Sequence, residues 1–204
     1  QRSEIKDFNA KSQLIVHESQ EAIYFKEGQA LDLFGPGRHS LNSDNLPIIR
    51  KIFSAVFGGG KKTPFSCEVY FINKTVQMSI KWGTDSKVQY IEPTYGFPIS
   101  IGACGEMSLR AEDSRKLLLK LVGTEKYLGQ QKLISYFRAF LMTRVKTYIA
   151  QVMKSDAISI FEIDEKLAQF SKTIKELLVN DFEEYGIALE QFFVTTIAKP
   201  DGDK

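Results

Sequence analysis

Apolar and polar residues alternate through the first part of the chain and change period after Asp113. In residues 76–82, Val76, Met78, Ile80 and Trp82 share one side, and Gln77, Ser79 and Lys81 share the other. That is the twofold repeat of a strand with one buried face. Residues 65–72 precede it as an antiparallel partner. Gln13-Leu14-Ile15-Val16-His17 and Ala22-Ile23-Tyr24-Phe25 flank the polar Glu18-Ser19-Gln20-Glu21, which predicts a hairpin or near-hairpin. Gly28-Gln29 leads into a strand from Ala30 to Phe34. Gly35-Pro36-Gly37 then forces a tight turn, because proline presets φ and glycine accepts positive φ. Val88 to Ile91 and Ile99 to Leu109 are further strands. Gly102 and Gly105 inside the latter predict a bulge or a close approach of neighbouring backbone.

After Asp113 the apolar residues recur at helical spacing. Asp113 is placed to N-cap a helix from Ser114 to Val122, with Gly123 at its C-terminal end. A long helix over Gln130 to Met153 carries Leu133, Phe137, Leu141, Val145, Tyr148 or Ile149, and Val152 on one stripe. Ser159 and Glu162 have capping-box spacing. They predict a helix running to Tyr185 with a stripe of Ile163, Leu167, Phe170, Ile174, Leu177 and Leu178, ended by Gly186. Leu189 to Ile197 returns to strand composition. Its run Phe192-Phe193-Val194-Thr195-Thr196 can close a sheet or offer an edge to a neighbour. Strands, then helices, then a closing strand make an α+β order rather than a repeating βαβ unit. One domain over 1–204 is expected, with 1–11 and 200–204 as flexible ends.

Composition narrows the function classes. The 204 residues are 43% hydrophobic and 25% charged, the balance of a globular chain. A chain of this length buries on the order of 70% of its unfolded surface, so it needs no disulfide or metal staple. Its 27 basic and 25 acidic residues leave a net charge of +2, too small a global field to draw nucleic acid. Cys67 and Cys104 lie far apart and form neither a CxxC pair nor a zinc pattern, which fits a reducing compartment or buried thiols. No apolar run reaches the roughly 18 residues of a spanning helix, and no signal peptide is visible. The chain begins Gln-Arg-Ser rather than with Met and reads as a piece of a longer parent.

Tests for chemistry return little. Gly58-Gly59-Gly60-Lys61-Lys62-Thr63 has Lys62 where a phosphate-binding loop needs a hydroxyl and Ala55 where it needs its early glycine. It reads as a basic loop. No GxSxG elbow exists. Cys104 reads as a small core residue, and nothing in the sequence pairs His17, on a strand, or His39, in a turn, with a carboxylate. The clusters Glu162, Asp164, Glu165 and Asp181, Glu183, Glu184 lie near helix ends and read as solvated or capping charge. No catalytic, cofactor-binding or metal residues are assigned.

One stretch is less bland. Leu46 to Phe57 forms a candidate helix with Pro47 at its first position. Ile48, Ile49, Ile52, Phe53 and Val56 share a face, followed by Phe57 and, after the glycines, Lys61 and Lys62. Apolar plus basic composition is that of an interfacial membrane or partner contact. The other reading is a helix that caps one end of the sheet.

Several segments together resemble the SPFH (band 7) domain of stomatins, prohibitins and flotillins. They are Glu18 to Gln29, the run Phe34-Gly35-Pro36-Gly37-Arg38-His39-Ser40-Leu41, residues 65–72, Lys81-Trp82-Gly83-Thr84, and Tyr185-Gly186-Ile187-Ala188-Leu189-Glu190-Gln191-Phe192-Phe193-Val194. The likeness runs from about Ser12 to Pro200 and is nearest to a bacterial branch described as virion core protein-like. It implies a mostly antiparallel curved sheet in the first half, packed by helices from the second. It further implies a non-enzymatic scaffold, homo-oligomeric in its parent, peripheral to the inner face of the cell membrane. Recruitment of membrane or envelope-stress partners of the phage-shock type would follow. The competing expectation is a soluble ligand- or peptide-binding α+β module with a groove between sheet and helices.

Overall fold

The computed structural model describes residues 2–5, 13–26, 29–40, 67–121 and 129–199. Its strands are β1 (Arg2–Ile5), β2 (Gln13–Val16), β3 (Gln20–Lys26), β4 (Gln29–Phe34), β5 (Gly37–Ser40), β6 (Cys67–Asn73), β7 (Met78–Gly83), β8 (Val88–Ile91), β9 (Pro98–Ala111) and β10 (Ile187–Ala198). The helices are α1 (Ser114–Leu121), α2 (Gln130–Ser155) and α3 (Ile163–Glu183). The class is α+β, with antiparallel sheets first, helices in the second half and a strand at the end. These elements fall into two compact units, Gln1–Val76 with Ala111–Gly129, and Gln77–Arg110 with Gln130–Lys204.

The first unit holds a four-stranded sheet of order β1-β6-β3-β4 and a two-stranded sheet of β2 and β5. Ala22, Ile23, Tyr24 and Phe25 of β3 are all buried, so both faces of this inner strand are covered. Ile23 and Phe25 pack with Tyr70 of β6 and Leu118 of α1. Tyr24 meets the ring of Phe34 edge-on at 5.3 Å, and Phe34 in turn meets His39 at 5.1 Å. Asp113 caps α1 as its position predicts, accepting from the Lys116 amide at 3.0 Å. Ser114 donates to Glu21 Oε2 at 2.6 Å, and Lys74 pairs with the same carboxylate at 3.3 Å. Each large apolar side chain buried in the cluster stabilises by about 1.5–3 kcal/mol. A half-exposed ion pair adds about 0–1 kcal/mol, so the cluster holds α1 in place and the polar contacts orient it.

The second unit has a sheet of order β10-β9-β7, with β8 also paired to β9. Met78, Ile80 and Trp82 of β7 are buried as the alternation requires. Val76 lies outside the strand and is exposed. Trp82 stacks on Phe192 of β10 at 5.2 Å with the rings nearly parallel. Gly105 of β9 lies at this stack. A Cβ there would sit 1.8 Å from the Phe193 carbonyl oxygen and 2.9 Å from Trp82 Cζ2. The expected close packing at this glycine is realised. α2 buries Phe137, Leu141, Val145, Ile149, Val152 and Met153, and α3 buries Ile163, Phe170, Ile174, Leu178 and Phe182. Most of each predicted stripe is buried, with Ile149 rather than Tyr148 turned inward, Leu133 and Leu167 half-buried and Leu177 at the surface. Gly186, at φ +70°, ends the turn from α3 into β10.

Two predicted pairings are corrected. β2 does not form a hairpin with β3; it pairs with β5, while β3 pairs with β4 on one side and β6 on the other. Residues 65–72 do not pair with 76–82 either, because β6 is taken by β1 and β3, and β7 pairs with β9. A strand has only two edges: β4, next in the chain, and the distant β6 fill those of β3, and β1 and β3 fill those of β6. The capping box at Ser159 is also corrected. Glu162 occupies the N-cap position without a side-chain cap, and Ser159 Oγ accepts from the Phe161 amide at 3.3 Å in the preceding turn. Burial of Ile158 and Ile160 sets that turn and delays the helix.

Candidate functional site

The apolar and basic face predicted from Ile48, Ile49, Ile52, Phe53, Val56, Phe57, Lys61 and Lys62 lies outside the described residues, as does the Gly58–Thr63 loop. The predicted ends 1–11 and 200–204 are outside them too, apart from β1.

The remaining candidates are placed apart within each unit. His17 follows β2 and is exposed; its carbonyl accepts from the Gln20 amide at 2.9 Å. His39 lies on β5, not in a turn, and its Nε2 is 2.8 Å from the Gly35 carbonyl. Cys104 is a free, exposed thiol rather than a core residue. It alternates to the outer face of β9 with Glu106, while Ala103, Gly105 and Met107 face inward. Its Sγ is 3.9 Å from Thr195 Oγ1. In the first acidic cluster Glu162 pairs with Lys166 at 2.8 Å and Asp164 with Lys199 at 2.7 Å. In the second, Asp181 accepts from the Tyr148 hydroxyl at 2.7 Å and lies 3.9 Å from Arg144 Nε. That hydrogen bond, then burial, pushes the Tyr148 hydroxyl above its ordinary pKa and keeps it neutral. Among the described residues no group of three or more His, Cys, Asp or Glu is placed to hold a metal ion.

The second unit also presents an apolar surface that sequence reading missed. Ile91, Tyr95 and Phe161 are each about two-thirds exposed, at 67%, 66% and 64%, and Phe97 is 44% exposed. Tyr95 lies 6.1 Å from Phe97 and 5.9 Å, edge-on, from Phe161. The turn that carries Tyr95 and Phe97 is built around Glu92, whose side chain is fully buried. Glu92 Oε2 accepts from the Thr94 and Tyr95 amides at 2.7 Å each. Its main chain closes the loop, with the Glu92 amide donating to Phe97 O and the Gly96 amide to Glu92 O, both at 2.9 Å. Gly96 takes φ +72°, the left-handed conformation that favours glycine. Burial alone raises the Glu92 carboxyl. Hydrogen bonds from Ser159 and from the Tyr95 and Thr94 amides more than offset that, and hold it below the usual carboxylate value. Single exposed aromatics are ordinary, but three held together by a buried carboxylate form a defined surface. Tyr95 and Phe97 sit in a turn and Phe161 follows a different helix, so no periodicity could have grouped them.

Among the described residues no helix is long and apolar enough to cross a membrane. The family model described as SPFH domain-Band 7 family matches residues 2–203. A search of curated proteins finds no match.

Proposed function

Because the chain belongs to the SPFH domain-Band 7 family, a family of scaffold-type domains often associated with membranes, we propose that it is a non-enzymatic scaffold supporting homo-oligomeric assembly at a bacterial membrane. The observation that carries this reading is the family match, which spans both compact units rather than one of them. The likeness to the virion core protein-like branch supports envelope-stress partners of the phage-shock type and a place on the inner face of the cell membrane. The contact with lipid is assigned to the apolar and basic stretch from Ile48 to Lys62.

Mass measurement of the full-length parent, with and without anionic liposomes, tests the assignment. Concentration-independent oligomers that bind vesicles are expected, and a monomer indifferent to liposomes refutes it. Changing Ile52 and Phe53 to Ser should abolish vesicle binding while the cooperative melt persists. Should that variant unfold, the segment is core, at a cost of about 3–5 kcal/mol for a buried Phe, and the lipid contact is elsewhere. The exposed Ile91, Tyr95, Phe97 and Phe161 favour a second reading, a soluble peptide-binding module. A melting point raised by one small ligand or peptide would favour it over the scaffold.

A further inference from the structure

An edge strand offers a row of main-chain donors and acceptors to any other strand. β10 is at one edge of its sheet among the described residues, and α3 lies along that edge. Three contacts tie them. Lys199, just past β10, pairs with Asp164 at 2.7 Å. The Val194 amide donates to Ser171 Oγ at 2.9 Å. Lys175 Nζ donates to the Glu190 carbonyl at 2.6 Å. Residue numbers rise along α3 as they fall along β10, so the contacts form a ladder. Glu190 and Val194 are an even number of positions apart, so their main-chain groups point the same way, outward from β9. Ser171 is itself buried, so its hydroxyl is committed to this amide. The device recurs: Arg138 of α2 donates to the Lys81 carbonyl on β7 at 2.9 Å, and Arg115 of α1 to the Leu31 carbonyl on β4 at 2.7 Å.

We infer that α3 is a built-in cover over a strand-pairing edge, and that the occupant it excludes is β10 of a second copy. The edge is self-complementary. An antiparallel pair centred on Val194 sets Glu190 opposite Ala198 of the copy and Val194 opposite its own equivalent. The aromatic and β-branched residues of β10 favour a strand, and the Val194 N–H, once freed from Ser171, takes part in such a pair. This inference does not depend on the scaffold reading, since it concerns an association that the intact fold prevents.

The test is the double variant Ser171→Ala with Lys175→Met, which removes both main-chain contacts and keeps the apolar stem of the lysine. Light scattering after gel filtration over a concentration series, with far-ultraviolet circular dichroism, is the readout. A folded variant that reaches twice the mass of the parent's own species as concentration rises is expected. Adding Val194→Pro, which deletes the N–H that faces Ser171, should restore the parent mass. A folded double variant with the parent's mass throughout overturns the inference, as does association that Val194→Pro leaves intact. If the double variant does not fold, Ser171→Ala alone is measured by amide hydrogen exchange. Exchange at Val194 about tenfold faster than in the parent, with Phe193 and Thr195 unchanged, supports the cover. Unchanged exchange at Val194 rejects it.

Discussion

Gly105→Ala is the sharpest test of how the second unit is held together. A Cβ at this position would lie 1.8 Å from the Phe193 carbonyl oxygen, 2.9 Å from its carbonyl carbon and 2.9 Å from Trp82 Cζ2. A carbon and a carbonyl oxygen rest at about 3.3–3.6 Å, so β10 has to retreat from β9 by about 1.5 Å. Two ladder hydrogen bonds beside the glycine then weaken, at about 0.5–1.5 kcal/mol each. The stacked Trp82–Phe192 pair loses its geometry, about 0.5–1.5 kcal/mol more. Overpacking of the remaining core costs about 1–3 kcal/mol, part of which is the same strain. A total of roughly 3–5 kcal/mol follows, or a fall in Tm of roughly 6–20 °C for a chain of this size. Trp82 is the sole tryptophan and sits at the site, so urea unfolding followed by its fluorescence reads this unit directly. Gly102→Ala in the same strand is the control. Its Cβ would meet Ala198 Cβ at 3.4 Å, an ordinary contact, so a change within about 1 kcal/mol is expected. If the stability of Gly105→Ala is within about 1 kcal/mol of the parent's, or no lower than that of Gly102→Ala, the close-approach argument is wrong.

Other expectations concern the aromatic turn and the helix cap. The Glu92 carboxyl has a lowered pKa in the folded chain, so its contribution to stability is complete above the ordinary carboxylate value and is lost as pH falls through the lower folded one. Glu92→Gln should flatten that acid limb of the unfolding free energy and speed amide exchange at Thr94 and Tyr95; an unchanged limb refutes the turn as drawn. Asp113→Ala should cost about 0.5–2 kcal/mol through the lost cap on α1, measured by chemical denaturation, whereas Asp113→Ser should recover most of it. Ser159→Ala should leave the helix content of α3 unchanged by circular dichroism, because Glu162 rather than Ser159 stands at its start.

The candidate site was legible only in part. Ile48 to Lys62 could be read as an apolar and basic stretch because its residues are neighbours in sequence. The surface of Tyr95, Phe97 and Phe161 could not, because it is assembled from two separated turns around a buried Glu92. Cys104 shows a related limit. Flanked by Ala103 and Gly105 it reads as core, yet the parity of β9 turns it outward once Met107 and Leu109 face inward.

The period of the residues determined the elements, since side chains alternate along a strand and recur every turn of a helix whatever surrounds them. It therefore yielded β7, β8, the stripes of α2 and α3, and the Asp113 cap. Partnership was decided only in three dimensions. Alternation says which face of a strand is buried and nothing about which strand fills each edge. β3 kept its chain neighbour β4 on one edge and took the distant β6 on the other, and β6 took the distant β1 and β3, because each edge accepts one ladder and main-chain hydrogen bonding is indifferent to side-chain identity. The covering of β10 by Ser171 and Lys175 belongs to the same class, because two polar residues on a helix acquire that role only when a strand edge arrives beside them.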